Sequence, residues 1–436
     1  MPNKRTNPVQ KRHNLQVNGQ RIWDDLMALA AITEPDRPWT RRSFSSRFLE
    51  GRAWLAEQFR QAGLSVRLDA AGNLIGRREG RIADAPAIMI GSHSDTVPSG
   101  GRFDGVAGVV VALEIARSLT DAGIELDHPL EVVDFLAEEP SEWGVSCVGS
   151  RGMTGYLSET QLELPGPGGE KLAAAIDRIG GNVAELSSAQ HDDVAAFLEL
   201  HIEQGPVLEA TKTDIGIVSA IVGITRLEIN FSGQAGHAGT TPMDRRRDAG
   251  VAGARAMIWL RDEARAVAAE GSDYFVATVG VVDLKPGGAN VVPDQMQLVV
   301  DLRSERQEVM NEFLVRLDRQ LKRIAAEEQV SVSLATLSDG LPAHCDSTLR
   351  TAIRESATSL GATWLDMASG AGHDAAFMSK VAPAAMVFVP CRQGLSHCPE
   401  EWTEQSELAL GASVLFEAIR NLDARLPHSS TRRGEK

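Results

Sequence analysis

Residues 85–123 read APAIMIGSHSDTVPSGGRFDGVAGVVVALEIARSLTDAG, and the order of patterns within them decides the fold. The opening APAIMIGSH is a short apolar run bounded by turn residues, which predicts a buried strand. A glycine-rich segment follows, and GVAGVVVALEIARSLTDAG then predicts a helix that stops at Gly123. Strand, loop and helix in that succession are the repeating unit of a parallel sheet flanked by helices. Neighbouring stretches continue the alternation: RAWLAEQFRQAG has apolar residues at helical spacing and ends at Gly63, while PLEVVDFLA and VAAFLELH are further strands. The predicted fold class is α/β, with a mostly parallel sheet and with ligands gathering beyond the carboxyl ends of its strands.

From about Ile215 the pattern changes. Strand IVGITRLEINFSG, helix DAGVAGARAMIWLRDEARAVAAEG, strands YFVATVGVVDL and QMQLVVDLRS, helix EVMNEFLVRLDRQLKRIAAEE and strand VSVSLATL follow in turn. That order, βαββαβ, is the ferredoxin-like split βαβ arrangement. After about Ser338 the earlier style returns with helix STLRTAIRESATSLG, strand AAMVFVP and a long final helix SELALGASVLFEAIRNLDARL. The expected organisation is one domain of residues 1–214 and 338–436, interrupted by a smaller domain of residues 215–337. No internal repeat is found, and the ends, to about Asn14 and from about His428, read as disordered.

With 436 residues, 43% of them hydrophobic, the chain is long enough for two cores. A formal charge of −15 argues against nucleic acid, whose binding needs a basic surface to neutralise phosphates. The N-terminal MPNKRTNPVQKRHN is basic but leads into no apolar segment, and nowhere do about 18 apolar residues run together without charge. A soluble, cytoplasmic protein that binds no membrane is expected. The cysteines, Cys147, Cys345, Cys391 and Cys398, include no C-x-x-C pair, so neither a disulfide framework nor a cysteine zinc site is indicated.

Five segments place acidic or histidine side chains close to the end of a predicted strand or at a glycine turn. In GSHSDTVPSGGRFDG, His93 and Asp95 stand two apart in extended chain and so project to one side, as a ligand histidine and a supporting carboxylate would. Asp104 follows where the helix begins, and its plainer alternative is a helix N-cap. In FLAEEPSEWG, Glu138 and Glu139 are neighbours, so in an extended backbone their carboxylates point opposite ways, one to hold a cation and one to reach elsewhere. A solvated loop start is the alternative there. LELHIEQGP carries His201, Glu203 and Gln204, SGAGHDA carries His373 and Asp374, and GLSHCPEEW carries His397. A lone histidine of this kind is ordinarily a packed core or loop residue, but several beside carboxylates suit divalent cations, which take imidazole and carboxylate together. Two cations roughly 3.5 Å apart, bridged by one carboxylate, would acidify a shared water and polarise a carbonyl. A free carboxylate nearby would carry the proton.

GSHSDTVPSGGRFDG, EE followed by GSRG, ELHIEQGPVLE, GQAGHAGTTPMDRRRDA, ANVVP and SHCPEEWT together resemble the dinuclear-metal amidohydrolases related to aminoacylases and zinc carboxypeptidases. HIEQGP with GHAGTTPM narrows the resemblance to N-carbamoyl-L-amino acid hydrolases, β-ureidopropionases and allantoate amidohydrolases. The motifs run in the family's order from about residue 91 to residue 403. The resemblance implies two divalent cations, zinc foremost and manganese, cobalt or nickel as alternatives, held by His93, Asp104, Glu139, His201 and His397, with Asp104 bridging. It makes Glu138 the general base and Asp95 a support for His93, and it makes the inserted domain a lid that also joins two chains in a homodimer. His237, Asn290 and Arg303 match positions that contact substrate. Arg303, closing LVVDLR, offers a fork suited to a carboxylate, and His237, in a polar glycine-rich turn, would stabilise an oxyanion. Gln204 resembles the amide-recognising position, and the turn around Gly372 the substrate-facing backbone. The implied reaction is attack of metal-bound hydroxide on the ureido carbonyl of a small N-carbamoyl amino acid, giving the amino acid, carbon dioxide and ammonia. Allantoate hydrolysis, aminoacylase or peptidase action on the same scaffold, and metal binding without catalysis are the alternatives.

The chain departs from the pattern at one place. Relatives commonly read Glu-Glu-Gly-Ser-Arg-Phe, whereas here Glu138, Glu139, Pro140, Ser141, Glu142 and Trp143 stand in sequence. An arginine has become Glu142, a change of two charge units. Either the loop packs differently or the preference among substrates has moved.

Overall fold

The computed structural model describes residues 17–191, 193–271 and 274–428. Apart from His428, the tails expected to be disordered lie outside those residues. Strands β1 (Ser65–Leu68), β2 (Leu74–Arg78), β3 (Ala87–His93), β4 (Leu130–Phe135), β5 (Val194–Ile202) and β6 (Ile215–Ile221) come first. Next come β7 (Gly223–Ser232), β8 (Gly236–His237), β9 (Phe275–Lys285), β10 (Val291–Val292), β11 (Gln295–Ser304) and β12 (Ser331–Gly340). The last are β13 (Ala343–His344), β14 (Trp364–Ser369) and β15 (Ala384–Val389).

The chain divides into two compact units, one formed by the residues up to Ser219, Cys345–Met367 and those from His373 onward, the other by Ala220–His344 and Ala368–Gly372. Among the described residues, the larger sheet runs β1-β2-β4-β3-β5-β15-β6, with β13 and β14 alongside β6. Its centre is parallel: β4 with β3, β3 with β5, and β5 with β15. Those strands read as unbroken apolar runs because every residue of β3, β4 and β15 is buried, as befits strands covered on both faces. The margins are antiparallel, β1 with β2, β2 with β4 and β6 with β15. The short link from β1 to β2 permits only a hairpin.

The sequence boundary at 214/215 needs correction. Residues 215–221 form β6, which pairs with β15 in the larger sheet, so the second unit begins later, at Ala220. An apolar run carries no mark of which sheet it will join, and the chain's return after residue 338 misled in the same way, since β12 continues to Gly340.

In the second unit the longer elements follow in the order β7, a helix, β9, β11, a helix and β12, with the short β8 and β10 between them. A four-stranded antiparallel sheet runs β12-β7-β11-β9, and the helices Ala249–Glu270 and Gln307–Glu327 lie between its strands in the chain. Burial alternates along β7 and β11, so one face is apolar. Leu227, Ile229, Phe231, Leu298, Val300 and Leu302 pack there with Leu260, Phe313 and Leu317 of the helices. Each such fully buried side chain is worth about 1.5–3 kcal/mol.

Among the described residues, no helix is long and apolar enough to cross a membrane. All four cysteines are unpaired.

Candidate active site

The parallel centre of the larger sheet brings the chemistry together. His93 ends β3, Glu138 and Glu139 follow β4, His201 lies at the end of β5, and His397 lies beyond β15. These strands are parallel neighbours, so their carboxyl ends open side by side. The loop after β3 brings in Asp104, and the helix Val106–Asp121 starts immediately behind it. That entry needs a glycine. Gly105 has φ 65°, and a Cβ there would lie 2.2 Å from Nε2 of His93.

Asp104 is not the helix N-cap, a position that Gly105 holds without any side-chain bond. Its carboxylate faces two ways instead. Oδ1 lies 3.1 Å from Nε2 of His201 and 3.8 Å from Nε2 of His93, while Oδ2 lies 3.1 Å from Nε2 of His397. His397 is also 3.2 Å from Glu139 Oε1, and His93 is 3.6 Å from Glu138 Oε2. The two glutamates thus reach different histidines, although through a sharper device than an extended backbone: Ala137, just before them, is left-handed at φ 51°. Gln204, at φ 54°, and His397, at φ 57°, share that conformation. Non-glycine residues held there carry strain that clusters at functional sites.

The ring orientations are consistent. His93 Nδ1 lies 3.1 Å from the backbone carbonyl of Asp95, and His201 Nδ1 lies 2.8 Å from the carbonyl of Ile202. A carbonyl partner orients each ring through Nδ1 and aims Nε2 at the carboxylates, and Nε2 of His201 also lies 3.1 Å from the N–H of Gly105. The Asp95 carboxylate, 3.5 Å from His93 Nδ1, also accepts the N–H of Glu138 at 3.2 Å, so it braces two elements of the site at once.

Charges here answer one another. Burial pushes Asp104 up, but hydrogen bonds from His201 and His397 override it and hold the carboxyl well below its usual range. His397 is raised to about 11 by its bonds to Asp104 and Glu139. Burial opposes the charged form of His93, yet the carboxylates of Glu138, Asp95 and Asp104 together raise it well above normal. Glu138 is pushed well above the usual carboxylate range, by burial first and then by Glu139, Asp374 and Asp104. Among the described residues, the ion pairs of Asp104, Glu138 and Glu139 are all with histidines. Two donor groups with ligand atoms within 4.8 Å of one another result, His93–Asp104–His201 and Asp104–Glu139–His397. Nitrogen and oxygen donors around a shared carboxylate fit a pair of divalent cations.

Gln204 sits inside this cluster, its Nε2 donating to Asp104 Oδ2 at 2.9 Å and to Ser396 Oγ at 3.2 Å. Glu203 does not join it; its carboxylate accepts the N–H groups of Val207 and Leu208 at the start of a short helix. The Glu142 loop packs through its neighbour. Trp143 is buried against Phe44 with ring centroids 4.8 Å apart and donates Nε1–H to the Glu170 carbonyl at 2.7 Å, which leaves Glu142 exposed.

The remaining candidates lie in the second unit. His237 in β8 pairs with Val291 in β10, and the N–H of Ala238 reaches the Asn290 carbonyl at 2.9 Å, so His237 and Asn290 are neighbours. His237 Nδ1 accepts the N–H groups of Gly239 and Thr240 at 3.1 and 3.2 Å. The neutral ring therefore carries its proton on Nε2, as a donor. Arg303 is braced by Asp301 through Nε at 2.8 Å and by the Gly370 carbonyl through Nη1 at 2.6 Å. That brings it to the turn containing Gly372, where a Cβ would meet nothing within 4 Å.

Of the buried polar residues around this cluster, the sequence singles out His373 and Asp374 but not Glu199, Glu401 or the place of Cys147 beside Glu138. Glu199 faces His201 and His373 as a third donor group. Its signal was present, since an acid two residues before His201 in a buried strand shares its side. His373, kept well below its normal range by burial and by His201, stacks edge-on against His201 at 4.5 Å. Asp374 receives the Ser150 hydroxyl at 2.5 Å. Cys147 points its thiol at Glu138 Oε1, 3.6 Å away. Glu401 is pushed up to about 7 by burial and then by Asp104. No pattern in the sequence set it apart.

Residues 89–421 match the family described as Peptidase family M20/M25/M40. An N-carbamoyl-L-amino-acid amidohydrolase of Paenarthrobacter aurescens is 38% identical over 94% of this chain and 99% of its own length. An allantoate amidohydrolase of Bacillus subtilis is 33% identical over 88% and 92%, and a ureidoglycolate hydrolase of Oryza sativa is 35% identical over 92% and 84%. Among solved structures, an amidase of the hydantoinase/carbamoylase family from Burkholderia multivorans superposes with a TM-score of 0.86 at 36% identity, covering 93% of this chain and 98% of that one.

Proposed function

Because this chain belongs to peptidase family M20/M25/M40, a metal-dependent family, we propose that it is an amidohydrolase that removes the N-carbamoyl group of a small amino acid, giving the amino acid, carbon dioxide and ammonia. One observation carries the hydrolytic chemistry: the two oxygens of Asp104 face separate donor groups. The choice of a ureido substrate rests on the relative that is 38% identical.

His93, Asp104 and His201 would hold one divalent cation, and Asp104, Glu139 and His397 a second. The donor set suits zinc, with manganese, cobalt or nickel as alternatives. Two such ions supply Lewis acidity, acidifying a water and polarising the ureido carbonyl. Glu138 takes the proton of the attacking water and returns it to the nitrogen that leaves as the C–N bond breaks. Asp95 keeps His93 aligned. Nε2–H of His237 donates to the oxyanion, and Arg303, with Asn290, Gln204 and the backbone at Gly372, receives the carboxylate and amide of the substrate. The bracing of Arg303 by Asp301 supports this role, since it fixes the guanidinium before substrate arrives.

The second unit is read as a lid and as the surface that joins two chains in a homodimer. Support comes from β9, an edge strand with Val281, Val282 and Leu284 exposed. Exposed edges of this kind pair with a second copy. The wild type is expected to sediment as a dimer and Val282→Lys as a monomer; a wild-type monomer would remove this part of the reading. A reducing, cytoplasmic setting accords with four unpaired cysteines.

The test of function is ammonia release from N-carbamoyl L- and D-amino acids, N-carbamoyl-β-alanine and allantoate, with metal added back to stripped protein. Release from an N-carbamoyl amino acid, dependent on metal, is expected. Release from allantoate alone would favour the function in the name of the Bacillus subtilis relative, and no release across the panel would favour binding without catalysis. Glu142→Arg belongs in the same panel. Exposed beside a buried anchor, Glu142 can change charge without disturbing packing, so the variant is expected to gain on acidic substrates relative to neutral ones. Equal preference in both proteins would leave Glu142 without a part in selectivity.

A further inference from the structure

Glu401 occupies a position that no proposed role so far uses. It is fully buried, and each of its oxygens serves a different loop. Oε1 accepts the N–H of Phe103 at 2.8 Å and of Asp104 at 3.1 Å. Oε2 accepts the Ser396 hydroxyl at 2.7 Å, and Ser396 immediately precedes His397. The glycine-rich loop is shaped to admit this carboxylate, since a Cβ on Gly101 would lie 1.8 Å from Oε1. Ser396 Oγ also lies 3.3 Å from Asp104 Oδ2 and receives Nε2–H of Gln204.

We propose that Glu401 is a positioning residue that registers the His397 loop against Asp104, and so completes the second donor group, Asp104–Glu139–His397. The inference rests on the metal-binding reading above. The physical reason is one of loop freedom. Asp104 is anchored from the side of His93 and His201 by the helix that follows it and by β3 and β5, whereas His397 lies in a loop well past the end of β15. Through Ser396, the Glu401 carboxylate ties that loop to the backbone on which Asp104 sits. Partners that orient ligands in this way typically matter about 10–100-fold in metal affinity.

The test is a calorimetric titration of Zn2+ into chelator-stripped protein, with bound metal counted by elemental analysis. Wild type is expected to take two ions in two steps. Glu401→Ala should weaken the second step about 10–100-fold and leave the first unchanged. Glu401→Gln should restore it, because the amide oxygen still accepts both N–H groups and the amide nitrogen donates to Ser396 Oγ. Ser396→Ala, which cuts the tie of the His397 loop to Glu401 together with the contacts of Ser396 Oγ to Asp104 and Gln204, should weaken the second step alone, and it serves as the probe if Glu401→Ala does not fold. Equal weakening of both steps would mean general loosening and overturn the inference, as would unchanged affinities in Ser396→Ala. A wild type that binds fewer than two ions would instead overturn the metal reading itself.

Discussion

Glu138→Gln is expected to lower kcat on the preferred ureido substrate by about 10²–10⁴-fold, with bound metal, KM and thermal midpoint close to wild type. Gln keeps the shape of Glu and can still donate or accept a hydrogen bond, but it cannot take up and return a proton. The geometry separates this residue from its neighbour. Glu139 Oε1 lies 3.2 Å from His397, with Asp104 in the same donor group, whereas Glu138 Oε2 lies 3.6 Å from His93 and stands outside both donor groups that share Asp104. Its carboxyl is pushed well above the usual range by burial and then by Glu139, Asp374 and Asp104, the direction a base must move to hold a proton near neutral pH. The linkage sign gives a second readout. A carboxyl whose pKa is higher folded than unfolded withdraws stability once pH rises through the unfolded value, so replacing it with a neutral amide should not lower the midpoint of stripped protein at pH 7. Turnover within about tenfold of wild type would end the role of Glu138 as base. Loss of metal would make it a ligand instead.

Asp104→Asn is expected to abolish both activity and paired metal binding. Of the two groups proposed to hold metal, His93–Asp104–His201 and Asp104–Glu139–His397, only Asp104 belongs to both, with Oδ1 toward His93 and His201 and Oδ2 toward His397. An amide replaces one acceptor oxygen with a donor and removes the charge that the three histidines share. The loss of affinity should exceed the roughly 10–100-fold that follows from deleting a partner outside the ligand set. Thermal unfolding gives a measure independent of turnover. At metal 100-fold above Kd, each wild-type site adds about 2.7 kcal/mol of stability, and Asp104→Asn should show no comparable rise. If the variant still gains stability from metal in two steps, Asp104 does not bridge.

The periodicity of the chain was enough to find the α/β class with its mostly parallel sheet. Buried parallel strands read as continuous apolar runs and half-buried strands as alternation, and each pattern is local. The candidate ligands were legible for a related reason. In such a sheet the ends of β3, β4, β5 and β15 meet, so histidines and acids at those ends are brought close together. What failed were features that depend on a partner. β6 was placed in the wrong unit because its apolar residues match either sheet. β1 and β2 were not found, since they are short and β1 is mostly exposed. Glu401 was passed over because an acid in a loop carries no sign of burial.

The sequence by itself determined which residue types stand at the ends of buried strands, and hence that a cluster of imidazole and carboxylate donors would form. Only the tertiary structure decided how they divide. Whether Asp104 caps a helix or faces two donor groups, whether Glu138 and Glu139 share a target, and which nitrogen each histidine presents all depend on contacts such as Asp104 with His397 or with Glu401. These partners lie far apart in the chain, and their meeting is set by packing and by hydrogen bonds to fixed backbone carbonyls. Spacing along the chain encodes direction within an element. It cannot encode the distance between side chains that the fold brings together from opposite ends of the sequence.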